Sequence, residues 1–248
     1  MAVEGGSGKN GRKNELPLDA RLSMILIREI IADHYPPGSR LREQEIAARH
    51  GVSRASVREA LRNVAYAGFV EIEPWRGAKV AEVSRSALLD IFRLLEETYG
   101  RCAYWAAERC PETALTKLDE MLAQLEDGVD HGLSQVEKDG QSFAIGRFIG
   151  SISGSDLAYS MLVQVGNLAI WQQRLHFAGA PPHVEEQSRS AHRLMISAIK
   201  ARESEIAEAS ARMIVMITRR QLEADAAPQG GVRAKSDNKP KKTKTIPV

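Results

Sequence analysis

Residues 53–62 read SRASVREALR. Arg54, Arg58 and Arg62 recur at every fourth position. On a helix that spacing puts them in one row, with Val57, Leu61 and Val64 in the row beside it. A guanidinium fork can pair bidentately with guanine O6 and N7 in the major groove, or with phosphate oxygens. The short hydroxyls of Ser53 and Ser56 suit phosphate. In isolation, a decapeptide of this kind reads as an ordinary solvated amphipathic helix. Its neighbours decide between the two.

The elements around it form a recognisable order. LDARLSMILIREIIADH has helical periodicity, with Leu22, Ile25, Leu26, Ile30 and Ile31 on one side. Pro36, Pro37 and Gly38 stop it. LREQEIAARHG is a second helix ending at Gly51. Ser53 caps a third, which runs to about Gly68. FVEIE and AKVAEV alternate apolar and polar residues and read as strands joined by the turn PWRG. Helix, helix, tight turn, helix and hairpin is the order of a winged helix-turn-helix. Its third helix enters the major groove with its N-terminal end toward the bases. Arg54 and Arg58 then face DNA, and Arg62, two turns in, meets the backbone or packs across domains. The wing tip Trp75-Arg76-Gly77 approaches the minor groove or the flanking backbone.

From Ser84 onward the helical pattern recurs over 86–109, 112–127, 134–152, 155–178, 184–201 and 203–224, with no convincing strand. Short breaks between helices of this length imply an antiparallel bundle. The expected fold is mainly α: an N-terminal winged helix-turn-helix over 17–83 and a C-terminal antiparallel all-helical bundle over 84–224. Tails at 1–16 and 225–248 read as disordered.

Bulk properties bound the function. The net charge is +2, but the segments differ: residues 1–84 carry 13 basic and 11 acidic residues, 85–227 carry 15 and 20, and 228–248 carry 6 and 1. Segments of opposite charge suggest different partners, and the basic tail KPKKTK suits nonspecific phosphate attraction. No apolar run resembles a transmembrane span or a secretory signal, so a cytoplasmic protein is expected. Cys102 and Cys110 form neither a disulfide framework nor a metal knuckle. No nucleophile elbow, HExxH, P-loop or Cys-His-Asp grouping supports an enzyme.

LREQEIAARHGVSRASVREALRNVAYAGFVEIEPWRGAKV closely resembles the DNA-binding domain of the GntR family of bacterial transcription regulators. The helical remainder resembles the FadR-type C-terminal (FCD) domain in LLDIFRLLEETYGRCAYWAAERC, FAIGRFIGSISGSDL and SAHRLMISAIKARESEIAEA. The resemblance implies a homodimeric regulator, most often a repressor, that binds a palindromic double-stranded DNA operator and responds to a small-molecule effector. It carries DNA contacts onto Ser53, Arg54, Ser56, Arg58 and Gly77, with Arg76 beside them on the wing. Family members often have a second arginine where this chain has Gln44. Arg42 lies two positions earlier, so the operator preference is expected to differ.

Many FCD proteins hold a divalent metal with one Asp and three His. Aligned on Ser153-Gly154-Ser155, those positions fall on Ser142, Gly146, His192 and Ile214. One ligand of four survives, and no metal or other cofactor is expected. Asp139, His176 and His183 are possible substitutes, but none has the expected helical phase. Without a metal, an organic acid effector would need a protein cation. Arg93 is the first candidate, ahead of Arg147 and Arg174; the alternative for each is a surface arginine or an ion pair, for Arg93 with Glu96 or Glu97. His192 reads either as a hydrogen-bond donor to the effector or as an interior polar residue satisfied by a neighbour. Trp171 and Phe143 suit an apolar wall, although core packing is their ordinary role. A bundle that only dimerises, on an effector-independent DNA-binding protein, is the competing expectation.

Overall fold

A computed structural model describes residues 16–130, 133–176 and 180–224. The expected tails lie outside the described residues, apart from Leu16. So does the side chain of His176.

The N-terminal unit contains α1 (Leu18–Ile31), β1 (Arg40–Leu41), α2 (Glu43–His50), α3 (Arg54–Tyr66), β2 (Val70–Glu73) and β3 (Gly77–Val80). Leu22, Leu26 and Ile30 of α1 are buried with Ile46 of α2 and with Val57, Ala60, Leu61 and Val64 of α3. Ile25, expected on the same side of α1, is substantially exposed. Gly51 closes α2 at φ +64, a left-handed conformation that favours glycine. Ser53 then caps α3, its hydroxyl accepting from the Ser56 N–H at 3.1 Å.

The sheet has a strand that periodicity did not reveal. Arg40 and Leu41 pair antiparallel with Lys79 and Ala78, giving the order β1-β3-β2. Leu41 therefore belongs to a strand, and α2 begins at Glu43. The β2–β3 hairpin pairs Val70 with Val80 and Glu73 with Gly77. Lys79 stitches it by ion pairs to Glu71 at 3.0 Å and Glu73 at 3.2 Å.

The C-terminal unit is a bundle of α4 (Arg85–Arg109), α5 (Glu112–Asp130), α6 (Gln135–Ser151), α7 (Asp156–His176), α8 (Pro182–Ala201) and α9 (Ser204–Ala224). α4 is the central rod and touches α6, α7, α8 and α9. Small residues make this possible: Gly100, Ala103, Ala106 and Ala107 are buried along it. Cys102 and Cys110 are free, buried thiols. α8 starts two residues earlier than periodicity suggested because Pro182 occupies its first turn, where a missing N–H costs nothing.

α7 belongs to both units. Gly166, Ala169, Ile170 and Gln173 face the bundle interior. Leu168 and Trp171, on another side of the same helix, join the N-terminal core. Trp171 is 1% exposed and packs on Phe69 with ring centroids 5.1 Å apart. Arg174 donates to the Ile31 carbonyl at 2.9 Å. The role of Trp171 is thus core packing between the units. Truncating a buried indole removes its contacts and leaves a cavity, so Trp171→Ala is expected to cost about 3–5 kcal/mol. A urea titration reads this as a lower midpoint; an unchanged midpoint would contradict the packing described.

Candidate nucleic-acid interface and bundle cavity

The apolar side of α3 is buried and its polar side faces outward. Arg54 and Arg58 expose 65% and 53% of their side chains. Both lie near one carboxylate: Arg58 Nε and Nη2 donate to the two Glu43 oxygens at 3.0 and 2.9 Å, and Arg54 Nη2 is 3.7 Å from Glu43 Oε2. The Arg58 hydrogen bond is the main reason the Glu43 carboxyl is held below the usual range. Glu43, at the start of α2, therefore holds the Arg58 guanidinium in place and lies close to that of Arg54. Sequence reading missed this partner, fifteen positions away, because only the turn at Gly51 brings the two helices together.

The other candidates gather on the same side or close to it. Ser53 is exposed and Ser56 half-buried, with their hydroxyls 2.9 Å apart. Gln44 is exposed, and Arg42 is paired with Glu45 at 2.9 Å. Arg62 pairs with Glu59 on its own helix at 2.7 Å. At the wing tip Trp75 is fully exposed at φ +65. Arg76 and Gly77 are exposed with it. Gly77 has φ +85 and open space around it, so its main chain can approach a partner closely.

The bundle contains a cavity of about 140 Å³ that is partly open to solvent. Its walls come mainly from α4, α6, α7, α8 and α9. Arg93 and Arg147 do not line it, contrary to expectation. Arg93 lies exposed on the outer side of α4, paired with Asp90 at 2.8 Å. Arg147 is exposed on α6. His183 is exposed on α8. Phe143 does line the cavity, its ring lying so close over Gly166 that any side chain there would collide with it.

His192 lies fully buried behind the wall. Its Nδ1 is 2.8 Å from the Ser188 carbonyl and its Nε2 is 3.1 Å from Ser142 Oγ. A carbonyl only accepts, so Nδ1 carries the proton and Nε2 accepts from the serine hydroxyl. Both ring nitrogens are engaged, which removes His192 as a direct donor to a ligand. The Ser142 hydroxyl lies between it and the cavity. Burial holds the imidazole pKa down at about 4.

A divalent ion does not fit this donor set. Ser142 offers a hydroxyl in place of a carboxylate, and Gly146 offers nothing. Ile214 is apolar, and the one imidazole is already satisfied. A side chain at Gly146 would meet the Tyr99 ring at 3.4 Å. Three positions before Ser142, however, Asp139 does face the cavity, which corrects the expectation about its phase. The spacing Asp139-x-x-Ser142-x-x-x-Gly146 was the signal for it.

A family model for bacterial regulatory proteins of the GntR type matches residues 19–80, and one for the FCD domain matches residues 87–216. The chain belongs to the GntR family. Among relatives of this GntR-family chain, the HTH-type transcriptional repressor RspR of Escherichia coli is 31% identical over 108 residues, which is 44% of this chain and 47% of the repressor. The chain thus spans about half the length of the curated relatives it matches first. The fatty acid metabolism regulator protein of Pasteurella multocida is 35% identical over 71 residues, 28% of this chain and 30% of its own. Among solved structures, Escherichia coli McbR/YncC superposes with a TM-score of 0.66 at 20% identity, covering 85% of this chain and 98% of that one. At that identity the likeness concerns the fold. No helix among the described residues is long and apolar enough to cross a membrane.

His192 makes stability depend on pH. Its folded pKa of about 4 lies below the ordinary 6.5, so the unfolded chain binds more protons between these values. Stability is complete above about pH 6.5 and is lost as pH falls toward 4, by about 3 kcal/mol from this group. Urea midpoints measured at pH 7.5 and 5 should differ more for the wild type than for His192→Gln. Equal differences would contradict the buried neutral imidazole.

Proposed function

We propose that this protein is a sequence-specific, homodimeric transcriptional regulator of the repressor type. In this reading α3 enters the major groove of a palindromic operator, and a small metabolite in the bundle cavity modulates binding. It acts by binding and is not an enzyme. The observation that carries the reading is the setting of α3: its apolar side is locked into the core while Arg54 and Arg58 lie open at its leading end. Ser53, Ser56, Arg42 and Gln44 border that end and would meet the backbone, and Arg76 and Gly77 would touch the flanking groove.

The cavity supports effector control over a bundle that only dimerises. The Tyr99 hydroxyl borders it, buried and without a hydrogen-bond partner among the described residues. A buried polar atom in that condition costs free energy unless something binds it. The route to the DNA would run through α7, which lines the cavity on one side and holds Trp171 against Phe69 on another. Phe69 follows α3 directly, so a shift of α7 would tilt the recognition helix. In a dimer it would also alter the spacing of the two recognition helices, which must match half-sites about 34 Å apart. An effector acts by binding one spacing better than the other.

Duplexes selected from a random library by the purified protein supply the test. Gel shifts should show a specific complex that weakens with salt. Arg54→Ala combined with Arg58→Ala should lower specific affinity by at least about thirtyfold, since each base contact contributes about 1–3 kcal/mol and tenfold is about 1.4 kcal/mol. Circular dichroism and the dimer should be unchanged. A specific shift that survives both substitutions would refute the assignment of α3.

A further inference from the structure

The cavity's charges differ from those expected for an organic acid ligand. Lys138 and Arg189 line it, and both are already partnered. Lys138 Nζ lies 3.0 Å from each Glu185 oxygen. Arg189 donates to Glu186 through Nε at 3.1 Å and through Nη2, and its Nη1 is 4.0 Å from Glu185. An incoming carboxylate would have to break these pairs or remain without a cation. Asp139 has neutral partners only: Gln135 Nε2 donates to Oδ1 at 2.8 Å and Gln173 Nε2 to Oδ2 at 3.0 Å. It is the one lining carboxylate with no cation within ion-pair distance among the described residues. Both oxygens accept from amides, which is the pattern of an ionised group.

We propose that the cavity binds a small organic amine, its ammonium on the Asp139 carboxylate and its hydrocarbon body against the apolar walls. This deepens the effector reading above and rests on it. Phe92, Leu95, Leu162, Ile170, Val184 and Ile214 supply the apolar surface. The size also fits: about 140 Å³ corresponds to one small ring, since a dry cavity of roughly 150 Å³ accommodates benzene. The Tyr99 hydroxyl, without a partner among the described residues, gives a polar substituent on the ring a hydrogen bond at another point on the wall.

Burial raises the Asp139 carboxyl above its ordinary range. The Gln135 hydrogen bond and the Arg174 and Lys138 charges oppose that rise, and Glu185 adds to it. An ammonium within hydrogen-bond reach would relieve the cost of holding this carboxylate away from water. Arg174 does not supply that contact: it is exposed and donates to the Ile31 carbonyl.

A matched pair on one hydrocarbon tests this directly. Cyclohexylamine and cyclohexanecarboxylate are titrated calorimetrically into the full-length protein at pH 7.5, and again into Asp139→Asn. The amine should bind the wild type at least about tenfold tighter than the carboxylate and lose that advantage in the variant, which keeps the residue's shape. Tighter binding of the carboxylate, an amine advantage that persists undiminished in the variant, or binding of neither compound would overturn the proposal. If the variant does not fold, the comparison on the wild type still decides. Carboxylate binding would leave the effector reading intact while removing the amine, and the gel shift is independent of both.

Discussion

The structure depends on the apolar side of one short helix. Val57, Ala60, Leu61 and Val64 of α3 are almost wholly removed from water against α1 and the sheet. Their burial fixes how far α3 is rotated about its own axis. Because successive positions differ by about 100° on a helix, that rotation also decides where Arg54 and Arg58 point. A rotation of roughly 60° would turn Arg58 into the core, where an unpaired charge is costly. Glu43 then sets the orientation of Arg58 with a two-pronged hydrogen bond.

The two units are joined by packing as well as by the chain connection. α7 contributes Leu168 and Trp171 to the N-terminal core and Gly166, Ala169, Ile170 and Gln173 to the cavity wall. A helix with both sides committed cannot move at one without moving at the other, because close-packed interfaces shift between discrete arrangements and do not deform freely. This is the physical basis for the proposed link between ligand and operator. Among the described residues the positions Ser142, Gly146, His192 and Ile214 do not fit a metal, with Ser142 bonded to His192 and Gly146 beside Tyr99, so the proposed ligand would be selected by the cavity's side chains.

The DNA-binding half was largely legible from the chain. Gly51, Ser53 and the apolar spacing of α3 are local signals, and each does locally what it suggests. β1 was not legible because two residues carry no periodicity; their strand exists only through pairing with β3. The bundle was harder for a different reason. α4 is surrounded by four helices, so it has no single apolar stripe from which to judge which side Arg93 takes. α6 spreads its apolar residues around the helix in the same way, which hid the cavity-facing phase of Asp139 and the outward position of Arg147. The pairing of Lys138 with Glu185 joins residues 47 apart and could emerge only from the tertiary structure.

The central claim is that the guanidinium groups at the leading end of α3 read guanine edges in the major groove. Methylation interference on a duplex selected by the protein tests it most directly, since a methyl group on guanine N7 blocks the acceptor that an arginine fork needs. The account predicts that methylation at symmetrically placed guanines, one set in each half-site, prevents binding of the wild type. It predicts as well that Arg58→Ala loses part of this pattern at both half-sites. Interference confined to the minor-groove face of adenines, or a pattern the same in wild type and variant, would contradict it.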